Sequence, residues 1–135
     1  MKKFNFKKIG ILLAMMLVAG AALVGPVSAG SSTGYTTNYM YTATGDWYNK
    51  PYGLQYLGSV EERNGNYGPM QITVQLSGVD VYQSPKTAST SNNWQVSSGW
   101  HTYYDSNPTT TPYRPIVRAT FSAGGESGTA SYMLN

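Results

Sequence analysis

The chain has 135 residues, with 9 Lys and Arg against 6 Asp and Glu, no Cys, 12 Tyr and 3 Trp. Its length suits one domain, and the lack of cysteine excludes disulfide staples and a lipid-bearing thiol. The formal charge of +3 is misleading, because four of the lysines lie in an N-terminal segment that reads as an export signal.

That segment opens with Lys2, Lys3, Lys7 and Lys8, continues as an apolar run over 9–24, and ends in the small-residue cleavage site Val27-Ser28-Ala29. A retained membrane anchor is the competing reading, but Gly20, Gly25 and Pro26 interrupt the run just before the cut. The expected organisation is a signal peptide over 1–29 and a domain over 30–135. The mature part then has 106 residues and keeps Lys50, Lys86, Arg63, Arg114 and Arg118 against six carboxylates, a formal charge of −1. The precursor's pI of 9.1 therefore gives no warrant for a nucleic acid or an anionic membrane as partner. A secreted, extracellular protein without stable membrane insertion of its mature chain is expected.

Apolar residues alternate at spacing two and nowhere sustain the spacing of an amphipathic helix. Residues 35–42 read as a strand with Tyr35, Tyr39 and Tyr41 on one face. Trp47, Tyr48, Tyr52 and Tyr56 follow in a stretch punctuated by Gly45, Asn49, Pro51 and Gly53, and 54–60 reads as the next strand. Glu61-Glu62-Arg63-Asn64-Gly65-Asn66 reads as a polar turn. The clearest strand covers 70–76, with Met70, Ile72, Val74 and Leu76 on a buried face and Gln71, Thr73 and Gln75 in water. Beyond a bulge at Gly78, Val79 and Val81 are expected to continue that face, with Asp80 and Tyr82 pointing away.

Residues 84–93 hold no apolar side chain larger than Ala and start beside Pro85, so an exposed loop is expected. Strands are expected at 94–97 and 100–105, with Trp94 and Trp100 packed between sheets. A proline-stiffened loop covers 107–112. Val117, Ala119 and Phe121 form another inward face, and a hairpin over 124–128 leads into 129–134, where Ala130, Tyr132 and Leu134 face inward. The sum is all-β: about six to eight strands in a single antiparallel sandwich following a cleaved signal helix.

The run from Tyr113 through Arg114-Pro115-Ile116-Val117-Arg118-Ala119-Thr120-Phe121 to Gly124-Gly125 resembles the penultimate strand and hairpin of immunoglobulin-like and fibronectin-like sandwiches in small exported bacterial proteins. The likeness covers about a quarter of the mature chain. It implies an immunoglobulin-like fold serving adhesion, ligand binding or spacing, and a tyrosine-corner role for Tyr113. The Cys-Trp-Cys mark of antibody domains is missing, and such a fold fixes no function.

Catalytic groups are scarce. His101 is the only imidazole; on a strand it shares a face with Tyr103 and Asp105, but two pleats separate it from Asp105 by about 13 Å, too far for a hydrogen bond. No serine sits in a Gly-x-Ser-x-Gly elbow. Asp46, Glu61, Glu62, Asp80, Asp105 and Glu126 include candidates for a glycosidase acid and base, though spacing along the chain does not set their separation. No zinc or EF-hand ligand spacing is present, so neither a metal nor a cofactor is expected.

Aromatic clustering stands out instead. Rings on a flat strand face stack on sugar rings or anchor protein partners, while Asn, Gln and Asp bind hydroxyls. In a chain short of Leu and Ile, the same rings serve equally as core filler. Core is the reading favoured for Tyr35, Tyr39 and Tyr41, and exposure for Trp47, Tyr48 and Tyr52. The resulting expectation is a non-catalytic module that engages a glycan or a protein through Trp47, Tyr48 and Tyr52. A self-associating matrix protein is the alternative, since only 11 charged residues remain to protect strand edges. A small hydrolase using His101 is third.

Overall fold

The computed structural model describes residues 30–65, 67–78, 81–108 and 114–135. The expected leader over 1–29, Val79, Asp80 and the tyrosine-corner candidate Tyr113 lie outside these residues. The described residues form ten strands: β1 Gly30–Tyr35, β2 Tyr39–Asn49, β3 Gly53–Glu62, β4 Gly68–Gly78, β5 Val81–Tyr82, β6 Lys86–Asn93, β7 Gln95–Ser97, β8 His101–Tyr104, β9 Ile116–Ala123 and β10 Glu126–Met133.

They build two antiparallel sheets. In the first, the order is β1-β2-β3, and both β7 and β8 pair with the far edge of β3. β7 lies opposite Ser59, Val60 and Glu61, while β8 lies opposite Gly53 to Tyr56. In the second, the order is β10-β9-β4, and β5 and β6 share the far edge of β4. The chain changes sheet after β3, after β6 and after β8.

The pleat explains the packing. On β4, Met70, Ile72, Val74 and Leu76 are buried, as the alternation predicts, and they meet Val117, Ala119 and Phe121 of β9. Leu54, Tyr56 and Val60 of β3 close the core from the opposite sheet. Full burial of each large apolar side chain contributes about 1.5–3 kcal/mol. Aromatic rings fill what aliphatics would fill elsewhere: Tyr41 stacks on Phe121 with ring centroids 4.7 Å apart, and Tyr39 meets the same ring at 5.4 Å. Ala130 and Leu134 are buried and Tyr132 packs against the core, as expected for the last strand.

The structure corrects several expectations. Residues 84–93 contain a strand: β6 pairs with β4 from Lys86 to Asn93, its side chains largely exposed. An edge strand of this kind needs only backbone hydrogen bonds, so its polar sequence carries no apolar alternation to reveal it. Pro85 sits just before it, where no ladder donor is needed. Residues 35–42 are not one strand, because the chain turns over Thr36 to Asn38 and Thr36 N donates to Tyr39 O at 2.9 Å. Tyr35 therefore ends β1 at 60% exposure, while Tyr39 and Tyr41 line the core. β4 ends at Gly78, and Val81 and Tyr82 run back antiparallel, opposite Gly78 and Ser77; Val81 is buried and Tyr82 exposed, as expected. Trp100 is exposed rather than packed between the sheets, and Trp94 is only half-buried.

Candidate functional site

The β2–β3 connection is where the aromatic residues separate into core and surface. Pairing is regular from Tyr39 opposite Glu62 down to Trp47 opposite Leu54, then shifts register before Asn49 opposite Gly53. Such a bulge re-aims side chains. Trp47 points inward at 4% exposure, and its indole Nε1 donates to the Asn135 carbonyl oxygen at 3.1 Å. The expectation that Trp47 is exposed is thus overturned: it sits opposite Leu54 on the inward face of the pleat, so its ring fills core.

Tyr48 and Tyr52 are exposed, as expected, at 47% and 40%. The hydroxyl end of the Tyr48 ring lies against Gly53, where an added Cβ would clash with Cε2 and Cζ, so only glycine permits this close approach. Tyr52 sits in a turn closed by its own N–H to Asn49 O at 2.6 Å, next to the cis Lys50–Pro51 peptide. Its carbonyl accepts from Asp105 N at 2.8 Å, which ties the turn to the end of β8.

That tie brings in a third ring. Tyr104 stands opposite Gly53 on β8, is exposed, and lies 6.5 Å from Tyr52 between centroids at 33° between planes. Tyr48, Gly53 and Tyr104 thus occupy one end of the outer face of the first sheet. One pleat along the same face, Gln55 donates through Nε2 to Asp46 Oδ2 at 3.3 Å, beside exposed Thr102. Asp46 itself is fully buried. Sequence reasoning missed Tyr104, because only the register across β3 places it beside Tyr52.

The candidate catalytic groups are dispersed. His101 faces inward on β8 against Tyr56, centroids 5.6 Å apart, and its Nε2 is buried without a hydrogen-bond partner among the described residues. Asp105 falls just past β8 and accepts from Asn107 N at 2.9 Å. Glu61 and Glu62 are neighbours on opposite faces of β3, and burial raises the Glu61 carboxyl above its ordinary value. Glu126 lies at the same end of the molecule as Glu62: Asn38, whose carbonyl accepts from Arg63 N at 2.7 Å, donates through its side chain to Glu126 Oε2 at 2.7 Å and through its amide to Oε1 at 3.3 Å. The Asn38 side-chain bond is the main reason the Glu126 carboxyl is held below its ordinary range. Among the described residues, no three His, Asp or Glu gather as metal ligands would.

No protein-family model matches the chain, nor does any curated protein or solved structure.

Proposed function

We propose that this protein is an exported, non-catalytic module that engages a glycan at the cell surface through Tyr48, Tyr52 and Tyr104. The observation that carries the reading is the gathering of three exposed rings from two separate segments at one end of one sheet face. Tyrosine offers an apolar face to a sugar's C–H groups and a hydroxyl to its polar edge. Gln55 and Thr102 stand next to the rings as hydrogen-bonding groups. A protein surface is the other partner that seeks exposed aromatic anchors.

An immunoglobulin-like type is the finer reading of the fold. Its support is the connectivity: β2-β3-β7/β8 against β10-β9-β4-β6 parallels the order A-B-E against G-F-C-C′. Export rests on the leader, whose basic start, apolar run and small-residue site Val27-Ser28-Ala29 have the form of an export signal. The non-catalytic part is supported by the setting of His101, whose ring packs inward against Tyr56 with centroids 5.6 Å apart.

The test is co-sedimentation with insoluble polysaccharides and cell-wall fractions, comparing the parent with a Tyr48→Ala/Tyr52→Ala/Tyr104→Ala variant. The expected result is retention of the parent and loss of retention in the variant. Equal retention of both, or retention of neither, would remove the basis for the proposal.

A second reading, self-association, is favoured by one observation: β6 is an exposed edge strand whose only charged residue is Lys86. Sedimentation velocity at rising concentration tests it, and a persistent monomer would count against it.

A further inference from the structure

Nine residues along β3 from Gly53, about 30 Å away, the same sheet ends in a different kind of surface. A groove of about 410 Å³ is lined by Met40, Glu61, Glu62, Arg63, Tyr67 and Trp94, with Gly65 at its rim. This volume falls within the range of small-ligand sites, about 300–1,000 Å³. Its frame is fixed by backbone bonds: Glu62 N donates to Trp94 O at 2.8 Å, and Arg63 N to Asn38 O at 2.7 Å. The Asn64 side chain adds a bond to Asn38 Oδ1.

Glu62 is the unusual member. It is only 9% exposed. Its Oε1 accepts from Asn64 N at 2.7 Å, while Oε2 is buried and has no hydrogen-bond partner among the described residues. A buried carboxylate oxygen left without a donor is costly, so a ligand that supplies one is favoured at this spot. Arg63 does not supply it. Its guanidinium lies over the Tyr35 ring, 5.0 Å from the centroid, and Nη1 reaches Thr36 O at 3.5 Å.

We propose that this groove binds a primary alkylammonium group, with Glu62 Oε2 as its acceptor and the Trp94 and Tyr67 rings as its walls. Two carboxylates line the groove and its one guanidinium is engaged elsewhere, so its charge complements a cation. Aromatic faces add cation–π attraction. The number of donors selects among cations. A quaternary ammonium has no N–H to give Oε2, whereas Oε1 already accepts from Asn64 N, so a ligand with a compact set of donors suits the one unused oxygen. A primary ammonium has three donors and needs only one free oxygen. Both a lysine side chain and a deacetylated amino sugar carry this group.

The site is independent of the tyrosine cluster and is tested separately, by following amide chemical shifts by NMR. The probes are Nα-acetyl-lysine amide, its Nε-acetylated form, glucosamine, N-acetylglucosamine and tetramethylammonium. Saturable shifts at residues 61–65, Tyr67 and Trp94 are expected with the two free amines, and at least about tenfold weaker binding with their acetylated forms. The relative affinity of the lysine and glucosamine probes separates a peptide source from a glycan source. Glu62→Gln is expected to weaken amine binding by about tenfold or more, because it removes the charge but keeps the shape. If Glu62→Gln does not fold, Tyr67→Ala, at an exposed position, decides instead through a loss of about threefold or more. Equal binding of free and acetylated amines, amine binding unchanged in the variant that folds, or no shift at these residues with either amine overturns the proposal.

Discussion

The indole N–H of Trp47 donates to the carbonyl oxygen of Asn135 at 3.1 Å, and Lys50 Nζ reaches the same oxygen at 2.8 Å. A β2 side chain and the turn after it thus hold the segment that follows β10, where Leu134 is also buried. Trp47→Phe keeps much of the ring packing and loses the bond, so a cost of about 0.5–1.5 kcal/mol is expected. Trp47→Ala opens a cavity as well, and about 3–5 kcal/mol is expected. Urea unfolding midpoints check both, and a Phe variant as stable as the parent would show that the bond adds nothing.

Gly53→Ala tests how the proposed glycan-binding surface is organised. Its new methyl would occupy the space of the Tyr48 ring, which must swing away. Because Tyr48 is already half-exposed, the stability loss is expected to stay near 1 kcal/mol. Affinity for a retained polysaccharide is expected to fall several-fold, since an oriented ring is worth about 0.5–1.5 kcal/mol. A polysaccharide affinity equal to the parent's would mean that the position of Tyr48 is irrelevant to binding.

The β9–β10 hairpin turns on two residues, Gly124 and Gly125, with φ of 54° and 77°. Ala123 pairs directly with Glu126 across them, a type I′ arrangement that needs left-handed backbone at both positions. A side chain at Gly125 meets open space, so Gly125→Ala isolates the backbone cost. About 1–2 kcal/mol of destabilisation is expected, with Gly125→Asn recovering part of it. Equal thermal midpoints for the parent and the Ala variant would contradict the turn geometry.

Acid and alkali act through different groups. Asn38 donation lowers the Glu126 carboxyl below 4.5, so its contribution to stability is present above pH 4.5 and is lost as pH falls through the folded value. Asn38→Ala should flatten that part of the acid limb. Burial raises Glu61, whose contribution has the opposite sense: complete below pH 4.5 and lost as pH rises through its folded value. Glu61→Gln should therefore stabilise the protein at neutral pH relative to the parent.

At the alkaline end, burial first and then the charges of Glu126 and Glu62 raise Tyr39 above 10.0, and burial alone raises Tyr56. Both contributions persist below pH 10 and vanish as pH rises through the folded values. Tyrosinate absorbance should show a late-titrating fraction that coincides with unfolding. Tyr39→Phe should reduce that fraction; a titration in which every tyrosine ionises together would contradict the assignment.

Alternation alone made β4, β9 and β10 legible, because each has one face against apolar side chains and one toward water. Met70 to Leu76 and Val117 to Phe121 carry that signal in their side chains. β1 and β6 carry none: Gly30 to Tyr35 and Lys86 to Asn93 are strands only because β2 and β4 offer them backbone partners. The aromatic residues divide in the same way. Composition by itself determined that tyrosine and tryptophan must supply core volume. Only tertiary structure decided which rings do so: the regular pairing of β2 with β3 as far as Trp47 opposite Leu54 sets that ring inward and leaves Tyr48 outside, and cross-strand register brings Tyr104 beside Tyr52. A side chain's hydrophobicity is set locally, whereas its facing depends on a pairing register fixed by residues far away in the chain.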